Sequence, residues 1–288
     1  MAKETPRGDD AQLEDVEIEP GPAEPSGKPR VEVSAGVVSH EGQQRGHNED
    51  SVLAVDLEAP GGSGMQLYAV ADGAGGMAAG DLASKLTVRA VKHSLAGSVA
   101  DAAFDPDEDP YAGWLAASVR AANYLVHVHA GKDRQRMAST LVMALIEGDE
   151  VHIANVGDSR AYLVGETGLR QITRDHSAAQ ELLNAGLITQ DQVKDHPFGH
   201  VLTRAIGPEE DVEPDLYRER VRSGDRLLLC TDGLTNMVPE ADIWEIIRSA
   251  PDPQAAAEAL IDAANRAGGR DNITAVVLEI RMPEPPQA

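Results

Sequence analysis

Short runs of aliphatic and β-branched residues, each bounded by Gly, Asp or Asn, set the first constraint on the fold. Runs of this length and composition are typical of β-strands. Two of them flank Gly148 and Asp149, a polar pair that favours a tight hairpin between antiparallel strands. The predicted strands cover residues 31–38, 51–55, 66–71, 140–147, 151–156, 161–164, 226–230 and 273–280.

Four other segments have the apolar spacing of amphipathic helices, over residues 78–95, 111–129, 239–247 and 255–267. Two of these helices lie between the early and middle strands, and two precede the last strand. This order favours antiparallel sheets covered by helices over a repeating βαβ array. Aromatic residues make up only 3% of the chain, so Leu, Val, Ile and Ala must fill the core.

The composition indicates which part of the chain is folded and which classes of partner it can bind. Residues 1–30 are rich in Pro, Gly, Glu and Asp and predict a disordered acidic tail, followed by a folded domain over 31–282 and a short tail over 283–288. The formal net charge of -23 disfavours nucleic acid as a partner, because phosphate contacts need clustered Lys and Arg.

The sequence also predicts the cellular setting. No apolar run approaches membrane-spanning length, and the N-terminus lacks the pattern of a secretory signal. Cys230 is the single cysteine, so an intrachain disulfide is impossible. We therefore expect a cytoplasmic protein that does not bind membranes.

Two of the predicted strands end in an Asp-Gly pair. The stretch LYAVADGAGG contains Asp72 and Gly73, and the stretch LLLCTDG contains Asp232 and Gly233. Either pair alone is consistent with a tight turn, because Asp and Gly tolerate positive φ. Each pair is followed by a predicted helix instead of a return strand. Both are therefore better explained as carboxylates at strand ends, where Gly leaves room for a cation near the backbone carbonyl.

Further acidic residues stand where loops meet predicted strands: Glu49 with Asp50, Asp158, and Asp271. If these carboxylates converge, their mutual repulsion must be compensated. Oxygen ligands favour the hard cations Mg²⁺ or Mn²⁺ over zinc. Arg45, five residues before Asp50, is suited to a phosphate dianion beside such cations, although a lone arginine is also consistent with a solvated surface.

The ordered set of motifs resembles that of the metal-dependent Ser/Thr protein phosphatases of the 2C type, in a bacterial form. The resemblance covers about residues 33–281 and implies an α+β fold. In that fold a central β-sandwich of two antiparallel sheets has helices on both outer sides and a dinuclear metal centre at one end. A mobile flap over about 173–207 is implied to influence substrate choice. The motifs are RGHNEDS (45–51), VADGAGG (70–76), NVGDSRAYL (155–163), TRDHS (173–177), LLLCTDGL (227–234) and GRDNITAVV (269–277).

The resemblance also implies roles for individual residues. Arg45 would bind the substrate phosphate, and Asp72 would bridge two Mn²⁺ or Mg²⁺ ions. The implied metal positions are Asp50, Asp72, the carbonyl of Gly73, Asp232 and Asp271, with Asp158 at a third, weaker site and Glu49 in the outer shell.

The implied reaction is hydrolysis of phosphoserine and phosphothreonine in proteins by a water that bridges two divalent cations. The expected partners are phosphoproteins modified by a Ser/Thr kinase, and the expected state is a monomer. Two alternatives stay open from the sequence: a non-catalytic regulator that binds a phosphoprotein or an anti-sigma-type partner, and a phosphatase for small metabolites. The complete set of carboxylates favours the enzyme.

Three departures from the family pattern concern residues other than the ligands. Ala74 and Met77 stand where relatives carry His, and the first of those histidines is a proposed general acid. The stretch RMASTLV (136–142) replaces a commoner Gly-Met-Gly-Thr-Thr pattern. Because Ala cannot donate a proton, the proton for the leaving group must come from water or from another residue, and His47 is one that lies nearby in the sequence.

Overall fold

A computed structural model describes residues 31–58, 64–101, 109–131, 137–166, 168–193 and 196–283. The acidic tail predicted over 1–30, and the tail predicted over 283–288 apart from its first residue, lie outside the described residues.

The strands are β1 (Glu32–His40), β2 (Asp50–Glu58), β3 (Gly64–Ala74), β4 (Ala138–Ser139), β5 (Leu141–Glu147), β6 (Glu150–Val156), β7 (Arg160–Gly165), β8 (Gly168–Gln171), β9 (Asp215–Arg220), β10 (Arg226–Cys230) and β11 (Ile273–Arg281). The helices are α1 (Met77–Ala100), α2 (Tyr111–Ala130), α3 (Ala178–Asn184), α4 (Gln190–Val193), α5 (Asp232–Thr235), α6 (Glu240–Ser249) and α7 (Pro253–Arg266).

The strands form two antiparallel sheets that pack face to face. One sheet has the order β1-β11-β10-β7-β8, and the other has the order β2-β3-β5-β6-β9 with β4 added to the end of β3. Val70, Val142, Leu229 and Val276 belong to the apolar core between the sheets. A second core joins the β2–β9 sheet to α1 and α2, and a third joins the other sheet to α6 and α7. These layers confirm the fold implied by the resemblance.

The central hairpin shows why the middle strands are so uniformly apolar. All residues of β5 and β6 are buried, because one face meets the opposite sheet and the other meets the helical layer. Gly148 takes φ of 60° in the turn between them, a conformation that favours glycine. The hairpin predicted from the sequence is therefore confirmed.

Several strands and helices of the structure were not predicted from the sequence patterns. The strand β9 reads DLYRER and alternates between half-buried and exposed residues, as expected of an edge strand. Its charged composition gave no apolar run to detect. The strands β4 and β8 and the helices α3, α4 and α5 are each too short to show a periodicity. None of the described helices combines the length and apolar character needed to span a membrane.

The topology gathers the acidic strand ends at one end of the sandwich. Asp50 at the start of β2 lies opposite Asp72 on β3 in the antiparallel register. In the facing sheet, Asp232 follows the end of β10 and Asp271 precedes the start of β11, and these two strands are paired. Backbone geometry alone therefore brings together carboxylates that are far apart in the sequence.

A close approach between β1 and α7 offers a test of the layered packing. A Cβ atom at Gly36 would lie 2.1 Å from the carbonyl oxygen of Pro253, so Gly36→Ala must push the helix away from the sheet. We expect a loss of about 1–3 kcal/mol in the free energy of unfolding, measured by urea denaturation.

Gly97→Ala is the matched control for this substitution. Gly97 lies in α1, and a Cβ atom added there would meet no other atom within 4 Å. Alanine should therefore raise stability by about 0.5–1 kcal/mol through helix propensity. Equal effects of the two substitutions would contradict the packing of α7 on β1.

Candidate metal centre

The carboxylates at this end of the sandwich act on one another electrostatically. Burial raises the pKa of Asp72 well above its usual range, and the charges of Asp50, Asp232, Asp158 and Asp271 raise it further. Burial likewise raises the pKa of Asp50 to about 7, with added contributions from Asp232 and Asp271. The structure therefore brings these five side chains into one cluster.

Asp50 is held by two threonines from the facing sheet. The hydroxyls of Thr274 and Thr231 donate hydrogen bonds to its Oδ2 atom at 2.6 and 3.1 Å. Its Oδ1 atom is buried and has no hydrogen-bond partner among the described residues. One carboxylate oxygen is thus fixed by protein donors, while the other is available to a ligand.

Asp72 and Asp232 lie close enough for their charges to interact. Burial raises the pKa of both groups, and the negative charge of Asp232 raises the pKa of Asp72 further. Asn236 donates to Oδ2 of Asp232 at 2.9 Å, and the buried Oδ1 atom of Asp232 has no hydrogen-bond partner in the described part of the chain. A cation between the two carboxylates would compensate their mutual repulsion.

Gly73 lies where the end of β3 meets the first turns of α1. A Cβ atom at this position would be 2.0 Å from the carbonyl oxygen of Gly80, so no other residue fits. The Gly73 N–H group donates to the Glu49 carbonyl at 3.2 Å. Glu49 is itself buried, which raises the pKa of its side chain.

Arg45 and Asp271 form an ion pair at the edge of the cluster. The Nη2 atom of Arg45 donates to Oδ2 of Asp271 at 2.8 Å, and about half of the arginine side chain is exposed. This hydrogen bond and the negative charges of Asp271, Glu49 and Asp72 raise the pKa of Arg45. A permanent cation with free donors therefore stands beside the carboxylates, open to solvent.

Asn272 fixes the loop that carries Arg45. Its Oδ1 atom accepts from the Glu49 N–H group at 2.8 Å, and its Nδ2 atom donates to the carbonyls of Glu41 and His47, both at 2.9 Å. Sequence reasoning gave Asn272 no role. The available signal was its position directly after Asp271, where an amide side chain can bond to several backbone groups.

The His47 side chain lies away from these backbone contacts. Its Nε2 atom is 3.6 Å from Oδ2 of Asp81, and nearly half of the ring is exposed. No measured contact places it against the carboxylate cluster, so its role as a proton donor stays a prediction.

Asp158 lies on the flap side of the cluster. Burial raises its pKa well above the usual range, and the charge of Asp232 is the next contribution. The preceding Gly157 is bonded to His176 in both directions: its N–H donates to Nδ1 at 3.1 Å, and its carbonyl accepts from the His176 N–H at 2.9 Å. The loop carrying Asp158 is therefore joined to the start of the segment predicted to be a flap.

The donor set fits hard divalent cations. Among the described residues, no group of three or more His, Cys, Asp or Glu side chains is arranged so that it could hold a metal ion as it stands. Asp271 is bonded to Arg45, and Asp232 is bonded to Asn236. All candidate donors are nonetheless oxygens, which Mg²⁺ and Mn²⁺ prefer. The buried, unpartnered oxygens of Asp50 and Asp232 are positions where a cation would supply the missing partner.

Comparison with known proteins places this chain in a family. The sequence pattern described as Protein phosphatase 2C matches residues 39–263. The serine/threonine phosphatase stp of Listeria monocytogenes is 38% identical over 240 residues, which is 83% of this chain and 92% of that protein. The serine/threonine protein phosphatase PstP of Mycobacterium tuberculosis is 37% identical over 247 residues, which is 84% of this chain and 44% of that protein.

Solved structures agree with these matches. The serine/threonine phosphatase of S. agalactiae superposes with a TM-score of 0.76 at 32% identity and covers 86% of this chain and 99% of that structure. The catalytic domain of PstP in complex with 2 manganese ions superposes with a TM-score of 0.72 at 34% identity and covers 87% of this chain and 99% of that structure.

The raised pKa values give a test of metal binding that does not depend on catalysis. Because the folded pKa of Asp50 and Asp72 lies above the unfolded value, the metal-free protein loses stability as the pH rises through the folded pKa values. A bound cation removes this loss. We therefore expect the rise in Tm on adding Mg²⁺ to grow between about pH 5.5 and about pH 8, by a free energy on the order of a few kcal/mol.

Asp50→Asn serves as the matched variant for this measurement. It removes one of the titrating acids and should flatten the pH dependence of the Mg²⁺ effect. A Mg²⁺-induced shift in Tm that is the same at every pH in wild type would contradict a site made from these carboxylates.

Proposed function

The chain belongs to the protein phosphatase 2C family, and we propose that the carboxylate cluster at the end of the sandwich is its phosphatase centre. The protein is a metal-dependent serine/threonine phosphatase that uses Mn²⁺ or Mg²⁺ and acts on phosphoproteins. The observation that carries the assignment of residues is the convergence of Asp50, Asp72, Asp232 and Asp271 beside Arg45, where the charges of Asp232 and Asp271 add to burial in raising the pKa of Asp50 and Asp72.

In the proposed site, Asp72 would be the ligand shared by the two cations. It faces Asp50 across the paired strands, and its pKa is raised by the charges of both Asp50 and Asp232, so it lies between these two carboxylates. The carbonyl of Gly73, together with Asp232 and Asp271, completes the donor set, and Glu49 supports it from the outer shell. When bound, the two cations supply an acidified water and offset the charge on the phosphate.

Arg45 is the proposed phosphate-binding residue. Its guanidinium is half-exposed and has donors to spare beyond its bond to Asp271, so it can bind two phosphate oxygens at once. Asn272 holds the Arg45 loop against the start of β11, which fixes the arginine relative to Asp271. The phosphate would therefore lie between the guanidinium and the carboxylate cluster.

The leaving serine or threonine oxygen must be protonated as the phosphorus–oxygen bond breaks. Ala74 is exposed at the end of β3 and has no proton to donate. We propose that water at the open rim of the site supplies this proton, or that a side chain such as His47 does so.

Other elements of the assignment rest on the family resemblance. We propose that Asp158 holds a third, weaker ion, and that residues 173–207, which contain α3 and α4, act as a flap beside it. We also propose that residues 31–282 form the phosphatase domain, that the protein is a cytoplasmic monomer, and that its substrates are phosphorylated by a Ser/Thr kinase.

Asp72→Asn tests the bridging role. We expect it to lower Mn²⁺-dependent hydrolysis of an aryl phosphate by about 10²–10³-fold or more, because the amide cannot join two cations. The metal-free variant should unfold at the same or a higher temperature than wild type, since the substitution removes a repelling carboxyl group. Full activity in the variant would disprove the assignment.

Arg45→Ala tests phosphate binding. We expect kcat/KM to fall by about 10–100-fold and inhibition by inorganic phosphate to weaken in parallel, with Arg45→Lys retaining part of both. Arg270→Ala is a matched control, because Arg270 is an exposed arginine next to Asp271. Similar losses in the Arg45 and Arg270 variants would point to a general charge effect instead.

A further inference from the structure

A polar groove of about 690 Å³ opens between the edges of the two sheets. One wall comes from the end of β8, and the other comes from the start of β9. The helices α3 and α4 close it on the side of the proposed flap. The residues that matter here are Gln171, Arg174, Gln180, Gln190, Asp215 and Tyr217.

The groove lies at the same end of the sandwich as the carboxylates. Gln171 at the end of β8 pairs with Tyr162 of β7, and Asp215 at the start of β9 pairs with Asn155 near the end of β6. The strands β6 and β7 flank the loop that carries Asp158. The groove and the carboxylate cluster are therefore neighbours along one rim of the molecule.

The strand order gives the distance between them. Two strand spacings separate β10 from β8, and three separate β3 from β9, which corresponds to about 10–14 Å. An extended peptide advances about 3.3 Å per residue. A peptide with its phosphorylated residue at the carboxylate cluster would thus place a residue about three to four positions away in the groove.

Arg174 provides the charge in this groove. Its N–H group donates to the Tyr217 hydroxyl at 3.1 Å, and its carbonyl accepts from Nδ2 of Asn155 at 3.2 Å, so its backbone is fixed on both sides. The residue is exposed at the protein surface. The guanidinium therefore extends from a rigid base, beside glutamine side chains that can bond to a peptide backbone.

Neighbouring charges are already paired, whereas Arg174 is not. Arg170 binds Glu219 through two hydrogen bonds of 3.0 and 2.8 Å, and Arg204 binds Asp215 at 2.7 Å. Among the described residues, no carboxylate forms an ion pair with Arg174. In a chain of formal net charge -23, an unpaired cation in a groove is a specific local attraction for a negative group.

We propose that the groove binds an acidic side chain of the phosphoprotein substrate, about three to four residues from the phosphorylated residue, with Arg174 as its partner. This inference rests on the proposed function, because the position of the phosphate sets the register of the peptide. The groove selects among phosphorylated sites, and the carboxylate cluster performs the chemistry.

The test is a series of phosphothreonine peptides of neutral sequence, in which a single Asp is moved from about five residues before to about five residues after the phosphothreonine. We expect wild type to show a kcat/KM about 2- to 5-fold higher when Asp lies about three or four residues away on one side, as for an exposed ion pair. The preference should disappear in Arg174→Gln, and in Arg174→Glu the peptides with Asp at that distance should become the poorer substrates. It should also shrink at high salt.

Arg222→Gln is the matched control. Arg222 is an exposed arginine that follows the far end of β9, so its loss changes the net charge equally but leaves the groove intact. Its preference should equal that of wild type. A preference that is flat in wild type, or unchanged in Arg174→Gln, would overturn the proposal.

An aryl phosphate separates this inference from the proposed function. It is too small to reach the groove, so wild type and both Arg174 variants should hydrolyse it at equal Mn²⁺-dependent rates. A wild type that hydrolyses neither substrate would refute the proposed function itself. An equal loss on aryl phosphate and peptide in Arg174→Gln would place the effect at the carboxylate cluster and reject the groove.

Discussion

Repulsion among partly buried carboxylates is the constraint on which the rest of this structure depends. Four acidic side chains from the ends of separate strands share one end of the sandwich, where burial and then the neighbouring negative charges raise the pKa of Asp50, Asp72 and Asp232. Such a cluster opposes folding at neutral pH unless protons or cations compensate it. The fold must therefore hold these groups rigidly, because relaxation would separate them and abolish any site for a divalent cation.

The two-sheet scaffold supplies this rigidity from both sides. Asp50 comes from one sheet, yet its carboxylate is oriented by Thr231, directly after β10, and by Thr274 in β11, both at the other sheet. Asn272 performs the same kind of cross-link for the loop that carries Arg45. Apolar cores on both faces of each sheet then resist the movement of any single strand end. The site is thus a product of sheet packing more than of local loop structure.

The sequence reveals the interior of this fold better than its edges. The buried strands β5 and β6 are rich in aliphatic residues and were predictable, whereas β9 is half charged because it lies at an edge. The helix α5 begins at Asp232 itself, where the sequence indicated only a strand end. These short or charged elements depend on tertiary contacts, which a periodicity cannot report.

Some residues of the candidate site could likewise be predicted from the sequence, and others could not. An Asp-Gly pair at the end of an apolar run indicates a carboxylate at a strand end, but only the motif order linked Asp72 to Asp50 and Asp271. The supporting residues Thr231, Thr274 and Asn272 could not be predicted, since their partners lie between 43 and 231 positions away in the chain. Hydrogen bonds across such separations are set by strand register, which no local pattern contains.

The distribution of charge over this protein affects how it associates with its substrates. A chain with a formal net charge of -23 repels phosphoproteins at long range, and salt screens that repulsion beyond about 8–10 Å. Within this distance, individual basic side chains dominate the electrostatic interaction with a substrate. Arg45 and Arg174 lie at two separate positions along one rim of the molecule. Selectivity at this rim would therefore arise after encounter, from which substrate segments can reach both arginines at once, and not from overall electrostatic attraction.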